Sequence, residues 1–169
     1  ETVRTRNFVA RRLIEEARDF SYQDRRDLLS LITTLLSDIP ATHRRLVEAG
    51  KIELTTTPYA HPIMPLMLDF NTARETVEDA LIPNEPYPGG RERALDHIAL
   101  ARSSHEKLFG HIPAGCWPAE GAVSEASLKL LGASGFQWCA TGESVLHHSL
   151  KYNLREQQGN RDLYHPWLI

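Results

Sequence analysis

The sequence predicts an α/β fold of parallel strands joined by long helical connections, on three observations. At residue 50 the apolar pattern changes from a helical period to the alternation of KIELTTT, residues 51–57, where Ile52, Leu54 and Thr56 face one way against Glu53 and Thr55. Two later runs, IPAGCW at 112–117 and FQWCATG at 136–142, have strand length and composition. Helical stretches separate the runs, so each step is a strand, a helix and a strand. Such units place their strands parallel with right-handed crossovers. Ligands are then met by the loops at the C-terminal strand ends.

The elements follow in order. Val9, Leu13 and Ala17, with Ala10 and Ile14, recur at helical spacing and predict one amphipathic helix over about 3–18. Ser21 and Asp24 form a capping pair for a second helix, whose apolar face is Leu28, Leu31, Ile32 and Leu35 and whose end is Ile39-Pro40. A short helix then runs to Ala49 and stops at Gly50. After the first strand, the three prolines and two glycines of IPNEPYPGG, residues 82–90, predict an irregular surface loop. RERALDHIALARSSHEKLFG predicts a helix with Leu95, Ile98, Ala101, His105 and Leu108 inward and Gly110 as its stop. Ser124 caps a further helix through Leu131, with Val123 stapled against Leu128. No repeat, low-complexity tract or domain boundary interrupts the chain.

Composition narrows the function. The 169 residues are 41% hydrophobic and 24% charged, ordinary for one soluble globular domain. Nineteen basic and 22 acidic residues are scattered without a basic stripe, so nucleic acid is not the expected partner. No stretch approaches the roughly 18–20 apolar residues of a membrane span, and the N-terminus has no apolar signal core, so the expected location is cytoplasmic. Glu1 without a Met points to a chain cut from a longer one. Cys116 and Cys139 sit inside apolar runs and are expected to be reduced core residues. His147 and His148 are adjacent, and no H-x-x-x-H, C-x-x-C, G-x-G-x-x-G, P-loop or G-x-S-x-G pattern occurs, so neither metal nor cofactor is expected.

The strand ends hold the candidate site. GCWPAEGAVS sets one carboxylate, Glu120, three residues past a strand; it fills no core position and has no obvious helical ion-pair partner. TTTPYAHPIMPLM carries three prolines around His61, and a backbone so stiffened can aim a side chain. Trp117 offers a flat face for a sugar ring. Carboxylate, imidazole and aromatic groups together are what a polyol-binding, bond-breaking cleft uses.

IELTTTPYAHPIMPLM, followed by GCWPAEGAVSEASLKLLGASGFQWCATGESVL, resembles glycoside hydrolase family 57, the retaining amylase, branching and glucanotransferase family. The helices before residue 50 and the closing DLYHPWLI resemble its core as well. The resemblance implies a fragment of a distorted (β/α)7 barrel, residues 1–169 forming one partial catalytic domain truncated at both ends, whose partners are an oligo- or polysaccharide and the rest of the parent domain. It implies α-glucan substrates and a metal-free double displacement with Glu120 as nucleophile. Trp117 is its aromatic neighbour, and His61 with Tyr59 are substrate-contacting positions of the Y-x-H-P-type motif. Glu143, just past the third strand, is a further substrate contact and the best in-chain candidate for an acid. The family's His-Gln-Pro strand is absent, its acidic Asp belongs beyond residue 169, and Gly142 stands where an acidic residue is usual. Two alternatives are a noncatalytic glucan-binding or regulatory domain and a metal-dependent polysaccharide deacetylase, which would need a paired Asp motif and a second His near His61.

Overall fold

The computed structural model describes residues 2–152 and 165–168, so half of DLYHPWLI lies outside the described residues. It divides into two compact units, Glu1–Ile52 and Glu53–Ile169.

The first unit is helical: α1 is Val3–Arg6, α2 Phe8–Glu16 and α3 Tyr22–Glu48. The single helix expected over 3–18 is broken because the Asn7 side chain accepts the Ala10 amide as an N-cap, while its own backbone is extended. Ser21 and Asp24 form the expected capping box, each side chain bonding the other's backbone amide at 3.2 and 2.8 Å. Arg12 clasps α2 to α3 by bonding Asp24 at 2.6 Å and Asp27 at 3.3 Å. The expected stop at Ile39-Pro40 does not occur, and α3 runs through Pro40 for 27 residues. Pro40 removes one amide donor, and the helix nevertheless continues through it to Glu48. Leu28, Ile32 and Leu35 on the expected apolar face remain more than a third exposed.

The second unit is α/β. After the Thr55–His61 segment come α4, Met64–Leu68, and a 3-10 turn, Phe70–Glu75, neither of them expected; next are α5, Gly90–Phe109, and β1, Gly115–Cys116. A 3-10 turn, Ala119–Gly121, then leads to α6, Glu125–Ala133, β2, Trp138–Cys139, and α7, Glu143–Tyr152. β1 pairs in parallel with β2, Gly115 opposite Trp138 and Cys116 opposite Cys139. On its other side β1 forms a parallel bridge to Thr56, through Thr56 N–H to Gly115 O and Trp117 N–H to Thr56 O. The three runs are therefore parallel neighbours with β1 central, joined by helices as the sequence implied. Their extents are much shorter than the expected 51–57, 112–117 and 136–142; among the described residues, two short parallel strands and one bridge are consistent with a fragment of a barrel and do not by themselves close one.

The core lies between one sheet face and the crossover helices. Cys116, Ile98 and Ala94 of α5, Leu130 and Leu131 of α6, Met64 and Phe136 form it, with Cys139 against its edge. Each fully buried Leu or Ile contributes about 1.5–3 kcal/mol. α5 buries Gly90, Ala94, Ile98, Ala101 and His105, whereas Leu95 and Leu108, expected inward, are 39% and 49% exposed. The buried positions follow a stricter i, i+4, i+7 line than the composition disclosed. Gly110 ends the helix in left-handed conformation as expected. Glycine at 90 is required by approach, since a Cβ there would lie 1.8 Å from the Met67 carbonyl oxygen. Arg102 of α5 donates to the Ser134 carbonyl at the end of α6 and lies over the Phe136 ring, tying the two crossovers together.

Candidate active site

Two loops at the C-terminal ends of adjacent strands meet. The first begins at buried Pro58, where the Tyr59 amide donates to the His97 carbonyl of α5 at 3.0 Å and the His61 amide donates to the Pro58 carbonyl at 3.0 Å. Ala60 and His61 are both left-handed, with φ of 58° and 57°. Pro62 disfavours a right-handed helical alternative at His61, and the two anchors hold the turn in place.

The second loop follows β1. Trp117 is pinned through its amide to Thr56, Pro118 and Ala119 are buried, and Glu120 is left-handed at φ 55°, ψ 17°. The turn closes by Gly121 N–H to Pro118 O and Ala122 N–H to Ala119 O. The Thr141 hydroxyl, beyond β2, donates to the Gly121 carbonyl. Buried neighbours on both sides leave the Glu120 side chain 75% exposed on a fixed backbone. A left-handed non-glycine residue costs about 1–3 kcal/mol and persists where the surroundings over-determine it.

The loops converge in one contact: His61 Nε2 lies 3.0 Å from Glu120 Oε1. Both members of the imidazole–carboxylate pair, and Ala60 beside His61, thus stand in left-handed backbone, and strain of this kind gathers at sites that position chemistry. Trp117, 47% exposed, and Tyr59, 52% exposed, stand on the same two loops. Glu143 opens α7 and is exposed; among the described residues no hydrogen bond joins it to Glu120. Among the described residues no three His, Cys, Asp or Glu side chains gather as metal ligands would.

A pocket of about 370 Å³ opens between Thr55–His61 and the last turns of α5. Its lining includes Tyr59 and His61 but no carboxylate, so it lacks the group a glycosidic displacement needs. Buried His105 in its wall donates from Nδ1 to the His111 carbonyl at 3.0 Å, and burial pushes its pKa down. The Nε2 atom has no partner and is closed to solvent.

One group on the open sheet face escaped the sequence reading. Trp138 lies against Gly115, where a Cβ would come within 2.3 Å of the indole, and its Nε1 donates to Glu53 Oε1 at 3.0 Å. The period-2 alternation marked Glu53 as facing away from Thr56, but without the register nothing set it opposite Trp138.

No curated protein and no solved structure matches the chain. The family model described as glycosyl hydrolase family 57 matches residues 10–169, so it covers both loops of the His61–Glu120 contact and nearly all of the helices and strands around it. The chain belongs to glycosyl hydrolase family 57.

Proposed function

We propose that this chain carries part of the active site of a retaining enzyme on α-glucans, with Glu120 as nucleophile and His61, Tyr59 and Trp117 contacting the sugar. Membership of the family implies a glycosidase or transglycosylase and an oligo- or polysaccharide substrate. The observation that carries the finer reading is the His61–Glu120 contact at the C-terminal edge of three parallel runs.

In a double displacement, the ionised Glu120 carboxylate attacks the anomeric carbon as the glycosidic C–O bond breaks, while an acid gives its proton to the leaving oxygen. Water or a sugar hydroxyl then cleaves the glycosyl ester, and the same acid, now a base, takes the proton. His61 holds the carboxylate in one rotamer before the sugar arrives, and Trp117 excludes water from one side of the ring. The acid lies about 5–5.5 Å from the nucleophile in such enzymes. Glu143 stands at an exposed helix start, without the water-poor setting that keeps a carboxyl protonated, so the acid is assigned to the rest of the parent domain. Both units belong to that catalytic domain, and the protein works in the cytoplasm.

Treating the full-length protein with a fluorinated α-glucosyl fluoride, which slows the second displacement, tests the assignment. The expected result is a glycosyl adduct on the peptide containing Glu120; an adduct on another residue, or a product of inverted configuration, would overturn it.

A further inference from the structure

The Glu120 turn leaves β1 and is caught again by the end of β2. Backbone bonding between the two strands continues as far as the Ala140 amide, which donates to the Cys116 carbonyl at 3.3 Å. One residue later a side chain takes over: the Thr141 hydroxyl donates to the carbonyl of Gly121, a buried residue. The turn and the strand end are in close approach there, since a Cβ on Gly121 would lie 3.4 Å from the Gly142 nitrogen and 3.5 Å from the Thr141 hydroxyl oxygen. Glu120 and Gly121 are consecutive left-handed residues, at φ 55° and 67°. The bonds from Gly121 N–H to Pro118 O and from Ala122 N–H to Ala119 O set the shape of this turn. The Thr141 bond sets its place against β2. A buried carbonyl deprived of its donor turns to find another, and glycine, free in φ, lets the peptide do so. Such a rearrangement passes into the adjoining Glu120 and moves its carboxylate off His61.

We propose that Thr141 is a positioning residue for the reaction: its hydroxyl holds the Gly121 carbonyl at the end of β2 and so keeps the Glu120 carboxylate at the His61 imidazole. This deepens the proposed function and rests on it. Thr141 acts through the turn rather than on the sugar. Its branched Cβ restricts χ1, so the backbone of the strand end dictates where the hydroxyl points. The contact it secures is the 3.0 Å approach of His61 Nε2 to Glu120 Oε1, and a displacement of about 1 Å at a reacting group can cost roughly 100-fold in rate.

Two readouts in the full-length protein test the assignment. Thr141→Val removes the hydroxyl at nearly constant size, and kcat on an α-glucan is expected to fall roughly 10–100-fold with KM changed by no more than about twofold. Thr141→Ser, which keeps the donor, retains most of the turnover. The place of Glu120 is read separately from nitrogen NMR of the His61 ring, its signals assigned by their loss in His61→Gln. Glu120→Gln moves these signals, Thr141→Val moves them as well, and Thr141→Ser leaves them near those of the parent. If Thr141→Val fails to fold, Thr141→Ala lacks the same hydroxyl and gives the same comparison. His61 signals unmoved by loss of the hydroxyl, a Ser variant as slow as the Val variant, or a loss confined to KM overturns the proposal. Signals that move while turnover stays at the parent level keep the hold of Thr141 on Glu120 and count against Glu120 as nucleophile.

Discussion

His61 Nε2 meets Glu120 Oε1 at 3.0 Å although both residues stand in left-handed backbone, at φ 57° and 55°. The contact is thus made by two turns that each adopt a conformation their residue types disfavour. Replacing Glu120 with Gln should lower turnover by several orders of magnitude and change stability by no more than about 0.5 kcal/mol, since the side chain is largely exposed. Glu120→Gly should be as inactive yet more stable than the parent by about 1 kcal/mol, because glycine accepts this φ without strain. Denaturant melts of the two variants beside activity assays check both; a Gly variant no more stable than the Gln one would show that the turn is not strained.

Gly90 and Gly132 should respond in opposite directions to the same change. A Cβ at residue 90 would lie 1.8 Å from the Met67 carbonyl oxygen, a backbone atom that cannot swing away, so Gly90→Ala should destabilise by about 2–3 kcal/mol. Gly132 lies in α6 with nothing within 4 Å of an added Cβ. Gly132→Ala should stabilise by about 0.5–1 kcal/mol through helix propensity. Urea unfolding midpoints decide both signs.

The thiols should be silent in the folded protein. Burial, with the Cys139 neighbour adding to it, pushes Cys116 up to about 12, and burial raises Cys139 as well. Both are free cysteines. Since the thiolate is the reactive form, iodoacetamide at neutral pH should label neither at an appreciable rate until denaturant is added. Rapid labelling of Cys116 without unfolding would show that the strand pair opens readily.

The α2–α3 clasp should fail in acid. The Ser21 hydroxyl, then Arg12 and the Ser21 amide, hold the Asp24 carboxyl down at about 2 from its ordinary 3.8. A folded-state value below the unfolded one means the stabilisation is complete above about pH 4 and disappears as pH falls towards 2. Asp24→Asn should flatten that limb of the pH–stability curve for the helical unit. Helical circular dichroism followed from pH 5 to 2 reads the difference.

Helix caps and the order of elements were legible because they depend on neighbouring residues: Ser21 with Asp24, Ser124 and Gly110 all stand where the pattern placed them. So was the parallel order, which follows from helices between strands. The continuous α3 was not legible, since a proline's local penalty says nothing of the long helix on either side of it. Strand lengths also escaped, because pairing needs a partner, and only two residues of β1 and β2 find one in ladder geometry. At the site, the sequence named His61, Glu120, Tyr59 and Trp117 as neighbours on two loops. The flat indole of Trp138 was hidden, as it depends on register and on the absence of a side chain at Gly115.

The central position of β1 has a temporal side. Its partner β2 lies 23 residues on (139 − 116), whereas Thr56 lies 60 residues back (116 − 56). Closing the longer loop costs roughly 0.8–0.9 kcal/mol more chain entropy than the shorter. On loop entropy alone the β1–α6–β2 unit is expected to assemble first and the Thr56 segment to join it afterwards. The His61–Glu120 contact, spanning 59 residues, is then expected to form late in folding and to open early in unfolding.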